Sequence, residues 1–472
     1  MKKVIMFCAA ALAIMAVACT PKDNIDWSKV TVNGFYVAGP ATGSTDIKAE
    51  CVMAAGFNEV DKALRDGMYE KYIVLEGGKN FYLVYNDGGN QTFYSADLKE
   101  FTTPEEEAYA DNPASVLKGT LVIGDSPLAM KVAKTGLYHI VLDINKNNDL
   151  KEPQIVLLDA SDFGVRGAMN GWGFTSADPK VEKFSNDGIA FTFKDQKMSK
   201  NGEFKFATGN YWKVTLDDAG KVKAEVSLAE GMTLNGANLK VGDAGLYTIT
   251  LNFKLAAGSF DKNFSYTAEC TEKSNLPETM FMIGEGIKGW NLKPDGDAVA
   301  MHPFHSQPGQ FWAIRYIEAG KGFKFSTVNT DWGSDFTDLG NGTGFKVDGG
   351  NCSVEATGLY TLQVDYENSK VIVEPAVVVG MDAPFGNGSW NKDLESAQFT
   401  VQNGIASFTA VAAGNIRTFV KCTLNGDWWH AEFIPKDGKI VYREGGNDPE
   451  AVAITAGQVL SYNFNEDTAT LR

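Results

Sequence analysis

Histidine, cysteine and positive charge are all scarce, and each shortage removes a class of function. Four histidines occur in 472 residues, without the close Cys and His spacing of a zinc site, so no metal and no cofactor are expected. Of the six cysteines, Cys8 and Cys19 stand near the N-terminus. The others, Cys51, Cys270, Cys352 and Cys422, fall one to each of the four repeats described below. A disulfide within a repeat is thereby excluded by counting, and buried free thiols are expected. Lys and Arg number 43 against 59 Asp and Glu, a formal net charge of −16. Such a surface repels phosphate backbones, so no nucleic acid partner is expected, whereas a neutral ligand is indifferent to the sign. The 49 glycines and 15 prolines are dispersed, which argues against a long disordered tract. Helical periodicity is nearly missing too: only Glu59–Asp66 and Pro104–Ala110 have the pattern of short helices.

The N-terminus carries the most specific short signal. Lys2 and Lys3 precede an uncharged apolar run from Val4 to Ala18, long enough for a secretory signal and too short for a comfortable membrane span. The run ends Ala16-Val17-Ala18-Cys19, which resembles a bacterial lipobox with Cys19 as the lipidated residue; Ala16 stands where leucine is commoner. The charged Thr20-Pro21-Lys22-Asp23-Asn24 that follows has the character of a surface tether. No later stretch is apolar for long enough to cross a bilayer.

Self-similarity organises the rest of the chain. Thr135-Gly-Leu-Tyr-His-Ile-Val-Leu-Asp143, Ala244-Gly-Leu-Tyr-Thr-Ile-Thr-Leu-Asn252 and Thr357-Gly-Leu-Tyr-Thr-Leu-Gln-Val-Asp365 are copies of one element, with a worn copy at Ala456–Phe464. The glycine enters a strand from a turn, and the alternation that follows lines one half-buried face. Further alternating runs, Phe191–Phe193, Phe204–Phe206, Phe323–Phe325 and Lys370–Glu374, are separated by Gly, Asn and Asp turns at the spacing of antiparallel sandwiches. The expected fold is therefore all-β, with a signal peptide at 1–18, a lipidated tether at 19–27 and units at 28–159, 161–273, 277–376 and 377–472.

Units two, three and four share a second pattern. A strand leads through glycine into a turn bearing tryptophan, at Gly167-Ala-Met-Asn-Gly-Trp172, Gly284–Trp290 and Gly380–Trp390. Later come a lysine and, seven or eight residues on, a second tryptophan: Lys205 with Trp212, Lys324 with Trp332, Lys421 with Trp428. Turn sequences seldom reach a core, so the rings read as exposed platforms rather than repeated core tryptophans. A pyranose presents an apolar C–H face that suits an aromatic ring, and an ammonium donates to its vicinal hydroxyls. Phe204-Lys205-Phe206 and Phe323-Lys324-Phe325 turn the lysine away from the core. In unit four, Val420 and Cys422 inside put Lys421 outside at the least burial of charge, while Trp429 is expected on the opposite side of its strand from Trp428.

On these residues the chain resembles the SusE/SusF family of starch-binding outer-membrane lipoproteins of Bacteroides, nearer its SusF members. The resemblance covers the whole chain. It implies four tandem immunoglobulin-like or carbohydrate-binding-module β-sandwiches, of which the first does not bind. It also implies starch, amylose and maltooligosaccharides as ligands, other starch-utilisation proteins of the outer membrane as neighbours, and a cell-surface location. The stacking pairs would be Trp172 with Trp212, Trp290 with Trp332 and Trp390 with Trp428, and the hydroxyl donors Lys205, Lys324 and Lys421. An enzyme is not expected, since no carboxylate recurs with the tryptophans and units of this size leave no room for a catalytic barrel. Asp143–Asp149 has a calcium-loop spacing, but its counterpart Asp365–Lys370 reads as a hairpin turn. The alternative is an adhesin that holds a protein partner through the same sandwiches. If the lipid on Cys19 is the membrane contact, Cys19→Ser should leave the outer-membrane fraction as folded, soluble protein; its recovery in salt-washed membranes would count against the anchor.

Overall fold

The computed structural model describes residues 23–58, 63–102, 115–144, 152–208, 213–216, 222–225, 238–258, 260–336, 339, 342–444 and 448–472. The leader with Cys19, the Pro104–Ala110 segment, most of the Asp143–Asp149 turn and Trp212 lie outside them. Among the described residues no helix is long and apolar enough to cross a membrane.

The chain is all-β, and every strand pair is antiparallel. Residues 34–159 form a four-stranded and a six-stranded sheet. Residues 163–273 form a four-stranded sheet and a three-stranded one, and residues 281–375 two four-stranded sheets; small hairpins accompany both. Residues 378–471 differ: apart from the short pair Gly414–Asn415 and Ala453–Ile454, their described strands join into one eight-stranded sheet, and Phe399 N–H reaches back to the Val378 carbonyl at 2.9 Å. This sheet curls on itself where the earlier units keep two layers.

The repeated Gly-Leu-Tyr segments are central strands, Gly136–Asp143, Gly245–Phe253 and Gly358–Asp365. Gly245–Phe253 alternates strictly between buried and half-buried residues, the pattern of a sheet with one face on the core. The glycine is required by close approach: a Cβ on Gly136 would lie 2.3 Å from Ser161 Oγ, and one on Gly245 2.3 Å from the Glu272 carbonyl oxygen. The tyrosine has a job as well. Tyr138, Tyr247 and Tyr360 each donate their hydroxyl to the carbonyl four residues upstream, at Lys134, Asp243 and Ala356, over 2.8–2.9 Å. The bond ties each strand to the loop that feeds it, as a tyrosine corner does.

Two expectations are corrected here. Ala63–Asp66, read as part of a short helix, belongs to the long strand Ala63–Leu75, because Ala63 and Leu64 pair with Asn58 and Phe57. Trp428 and Trp429 lie in the 3₁₀ turn Trp428–Ala431, not on a strand. The thiols are free as expected, and Cys51, Cys352 and Cys422 are buried; burial pushes Cys51 up to about 11 and Cys352 up to about 12.

The four units pack in two pairs. One continuous core joins the first and second, with Tyr72 edge-on to Phe264 at 5.1 Å. Asn186 closes that seam, exchanging bonds with both the N–H and the carbonyl of Val74. A second core joins the third and fourth around Trp312, which is wholly buried against Phe433. Arg315 crosses the same seam to the Phe464 carbonyl. His305 and His430 meet there, and burial lowers both to about 4, so they enter the seam uncharged at neutral pH. Between the second and third units run the linker 274–279 and the exposed ion pairs Lys197–Glu367 and Lys200–Glu278, a kind that contributes at most about 1 kcal/mol each. A protease site engineered between Pro375 and Val377 should therefore leave the cut halves together on gel filtration at micromolar protein. A site in the linker should let them separate; the reverse outcome would contradict the pairing.

Candidate carbohydrate-binding sites

Each candidate site is built where two antiparallel strands end in a turn. In the second unit Phe163–Gly167 pairs with Glu203–Thr208, placing Arg166 opposite Lys205. In the third, Phe281–Ile283 pairs with Lys324–Ser326, placing Ile283 opposite Lys324. The flanking Phe204, Phe206, Phe323 and Phe325 are buried. Alternation along the strand therefore turns each lysine outward, as the sequence requires.

Keeping a tryptophan in the following turn takes particular backbone. Trp172 and Trp390 both adopt left-handed φ, 62° and 56°, which costs a bulky L-residue roughly 1–2 kcal/mol. An asparagine a few residues upstream holds each turn. Asn170 accepts from the Gly167 N–H at 3.0 Å and donates to the Val165 carbonyl at 3.1 Å and to Thr175 Oγ1 at 2.8 Å. Asn387, wholly buried, donates to the carbonyls of Gly380 and Asn391 and accepts from the Asn391 N–H at 2.8 Å. In the third unit Asp297 takes this part, accepting from the Asn291 N–H at 3.0 Å. These staples escaped the sequence reading, although Asn170 and Asn387 stand two and three residues before their tryptophans.

The rings come together in pairs. Trp290 and Trp332 have centroids 6.3 Å apart at 38°, and Trp390 and Trp428 5.4 Å apart at 45°. Trp290, Trp332 and Trp390 are 40%, 45% and 40% exposed, which rules out the core-tryptophan explanation for them. Trp172 and Trp428 are half-buried. Trp428 leans on Phe419, whereas Trp429 turns to His305 and Arg443, so the two neighbours do face different ways.

A cation accompanies both of these pairs. Lys324 Nζ lies 5.8 Å from the Trp332 ring and donates to Asp335 Oδ2 at 3.0 Å. Asp335 Oδ1 is buried without a partner. In the fourth unit Arg417, opposite Met381, holds the register position of Lys324, and its guanidinium lies 5.8 Å from Trp390 and 5.0 Å from Trp428. Lys421 lies beyond the end of that strand. Val420 and Cys422 are buried and Lys421 half-exposed as expected, with Nζ 2.8 Å from Asp393; it lines a hollow beside Trp428 together with Lys392 and Asp427. Counting back from the second tryptophan selected Lys421 because the connection to Trp428 is longer here than its counterpart in the third unit. Strand register, which the sequence does not display, selects Arg417.

Residues 279–372 and 377–470 match the family model described as SusF/SusE starch specific CBMs. Outer membrane protein SusF of Bacteroides thetaiotaomicron is 27% identical over 402 residues, spanning 80% of this chain and 79% of that protein. The third and fourth units of this chain thus match SusF/SusE-type modules. The crystal structure of SusF from the same organism covers 93% of this chain and 100% of its own, at 19% identity and a TM-score of 0.39. The matched model is one of binding modules, which agrees with a binding protein rather than an enzyme. Because Asn387 makes three buried bonds of about 1 kcal/mol each, Asn387→Ala should lower the urea midpoint of the half containing units three and four by roughly 2–3 kcal/mol equivalent. A shift under about 0.5 kcal/mol would show that the turn does not depend on it.

Proposed function

We propose that this chain is a lipid-anchored protein of the outer-membrane surface that holds starch or another α-1,4-glucan through three weak sites and retains it for uptake. The observation that carries the reading is the pair of mutually tilted surface tryptophans beside a cation, at least one ring of each pair exposed, in the third and fourth units. Rings inclined by about 40° follow the curvature of an α-1,4-linked helix better than the flat ribbon of a β-linked glucan. The cation supplies donors for the vicinal hydroxyls, and stacking adds roughly 0.5–1.5 kcal/mol per ring on the scale measured between aromatic side chains. Trp290, Lys324 and Trp332 make up one site; Trp390, Trp428 and Arg417 make up another, with Lys421 at its edge. For the second unit, Trp172, Lys205 and Trp212 are assigned by the repeated spacing.

The division into a signal peptide at 1–18, a tether at 19–27, a spacer at 28–159 and modules at 161–273, 277–376 and 377–472 belongs to the same proposal. The spacer lacks the platform: Trp27 packs edge-on against Tyr82 and Phe93 at its entry, and its strand Tyr82–Asp87 carries no cation. Three sites facing one polymer raise one another's effective concentration, so avidity should exceed single-site affinity by roughly 10²-fold where geometry permits. The name of the relative, an outer membrane protein, agrees with lipidation at Cys19 and surface location. Replacing Trp172, Trp290 and Trp390 together by alanine in the full chain should abolish retention on insoluble starch while moving the melting temperature by no more than about two degrees, since none of the three rings belongs to a hydrophobic core. Undiminished retention would refute the platforms, and a collapse in stability would return the tryptophans to a structural role.

A further inference from the structure

The cation of the fourth site rests on a wholly buried carboxylate shared by two arginines, where the third site has a single lysine–aspartate pair. Glu432 is wholly buried on the strand Glu432–Lys436, next to the strand of Arg417. Its Oε1 accepts from Arg417 Nε at 2.7 Å, and its Oε2 accepts from Arg417 Nη2 and from Arg443 Nη1, both at 2.9 Å. Asp448 Oδ1 completes the ring, 2.8 Å from Arg443 Nη2 and 3.3 Å from Arg417 Nη2. Two guanidiniums thus balance two carboxylates. Arg417 has spent Nε and Nη2, while its Nη1 has no partner among the described residues and the guanidinium faces both tryptophans. In the third unit one ammonium meets one carboxylate, Lys324 with Asp335.

A buried carboxylate is costly, and an ion pair of this kind is often no better for stability than apolar packing. What it provides here is orientation: a bidentate fork fixes the plane of a guanidinium, which a single contact to an ammonium does not. Resting on the reading of Arg417 as a sugar-binding cation, we propose that Glu432, seconded by Asp448, is a positioning residue. It holds the Arg417 guanidinium so that the two N–H bonds of Nη1 meet vicinal glucose hydroxyls at the height of the Trp390–Trp428 pair. The brace extends into the third unit. Arg443, held by the same carboxylates, stacks 5.1 Å from Trp429, which is edge-on to His305 of the third unit at 4.7 Å. The fourth site is therefore set before ligand arrives, and less side-chain freedom is lost on binding.

The test uses the full chain with Trp172→Ala and Trp290→Ala, so that calorimetry with maltoheptaose reads the fourth site alone. Arg417→Ala should weaken binding about tenfold, leaving a stacking residue of affinity measurable at high ligand. Glu432→Gln should weaken it about three- to tenfold, the loss expected when one long side chain must be ordered on binding. In the Arg417→Ala background, Glu432→Gln should cost nothing further, which a merely structural role would not produce. If Arg417→Ala changes nothing, the underlying assignment of the cation fails. If Arg417→Ala weakens binding and Glu432→Gln does not, or if Glu432→Gln weakens both backgrounds equally, the positioning role alone is overturned. Should Glu432→Gln lose its cooperative melting transition, Asp448→Asn, at an exposed carboxylate, takes its place. A roughly twofold loss confined to the Arg417 background supports the inference, and unchanged affinity overturns it.

Discussion

A site built on aromatic rings in surface turns must hold them in water without letting them fold into the protein, and the turns that carry Trp172, Trp290 and Trp390 are built around that demand. A tryptophan in a wet turn gains area by collapsing onto the nearest apolar surface. Here the turn is held open by amide and carboxylate side chains, the half-buried Asn170 and Asp297 and the wholly buried Asn387, each bonded to backbone within a few residues of the platform. Trp172 and Trp390 accept a left-handed backbone as part of the arrangement. The strain is tolerated because the surrounding strands are anchored by large buried phenylalanines, so the turn has nowhere lower in energy to relax.

The same rigidity extends between units. Each pair shares a core, so a site in the third unit and a site in the fourth stand on one solid body around Trp312 and Arg315. The connection between the pairs is of another kind, a short linker with exposed ion pairs. Under the proposed function, this arrangement would hold the two sites of the second half at a fixed spacing. In the fourth unit the junction also reaches the candidate site through Arg443 and Trp429, so packing between units and the placement of the Arg417 guanidinium are one network.

Much of the fold was legible because it rests on local rules. The Gly-Leu-Tyr copies announce central strands, since glycine is needed where backbones crowd and the tyrosine ties loop to strand. Phe-Lys-Phe announces an outward lysine through simple alternation. The helix read at Glu59–Asp66 failed for a matching reason: local pattern cannot see that Ala63 and Leu64 have a neighbouring strand to pair with. Nor could adjacent Trp428 and Trp429 reveal that a 3₁₀ turn, rather than a strand, sends them to different partners.

By itself the sequence determined the all-β class, the repeat, the outward lysines and the exposure of Trp290, Trp332 and Trp390, because each depends on neighbours within a few residues. Only the tertiary structure decided which cation faces the last pair of rings. Arg417 and Lys421 both stand outside an alternating strand, and what separates them is the strand across the sheet, where Met381 meets Arg417. Glu432 belongs to the same class: its side chain is polar, its position is buried, and only two arginines brought from elsewhere in the chain make that burial tolerable. Register and long-range charge pairing are properties of segments brought together, and no segment carries them alone.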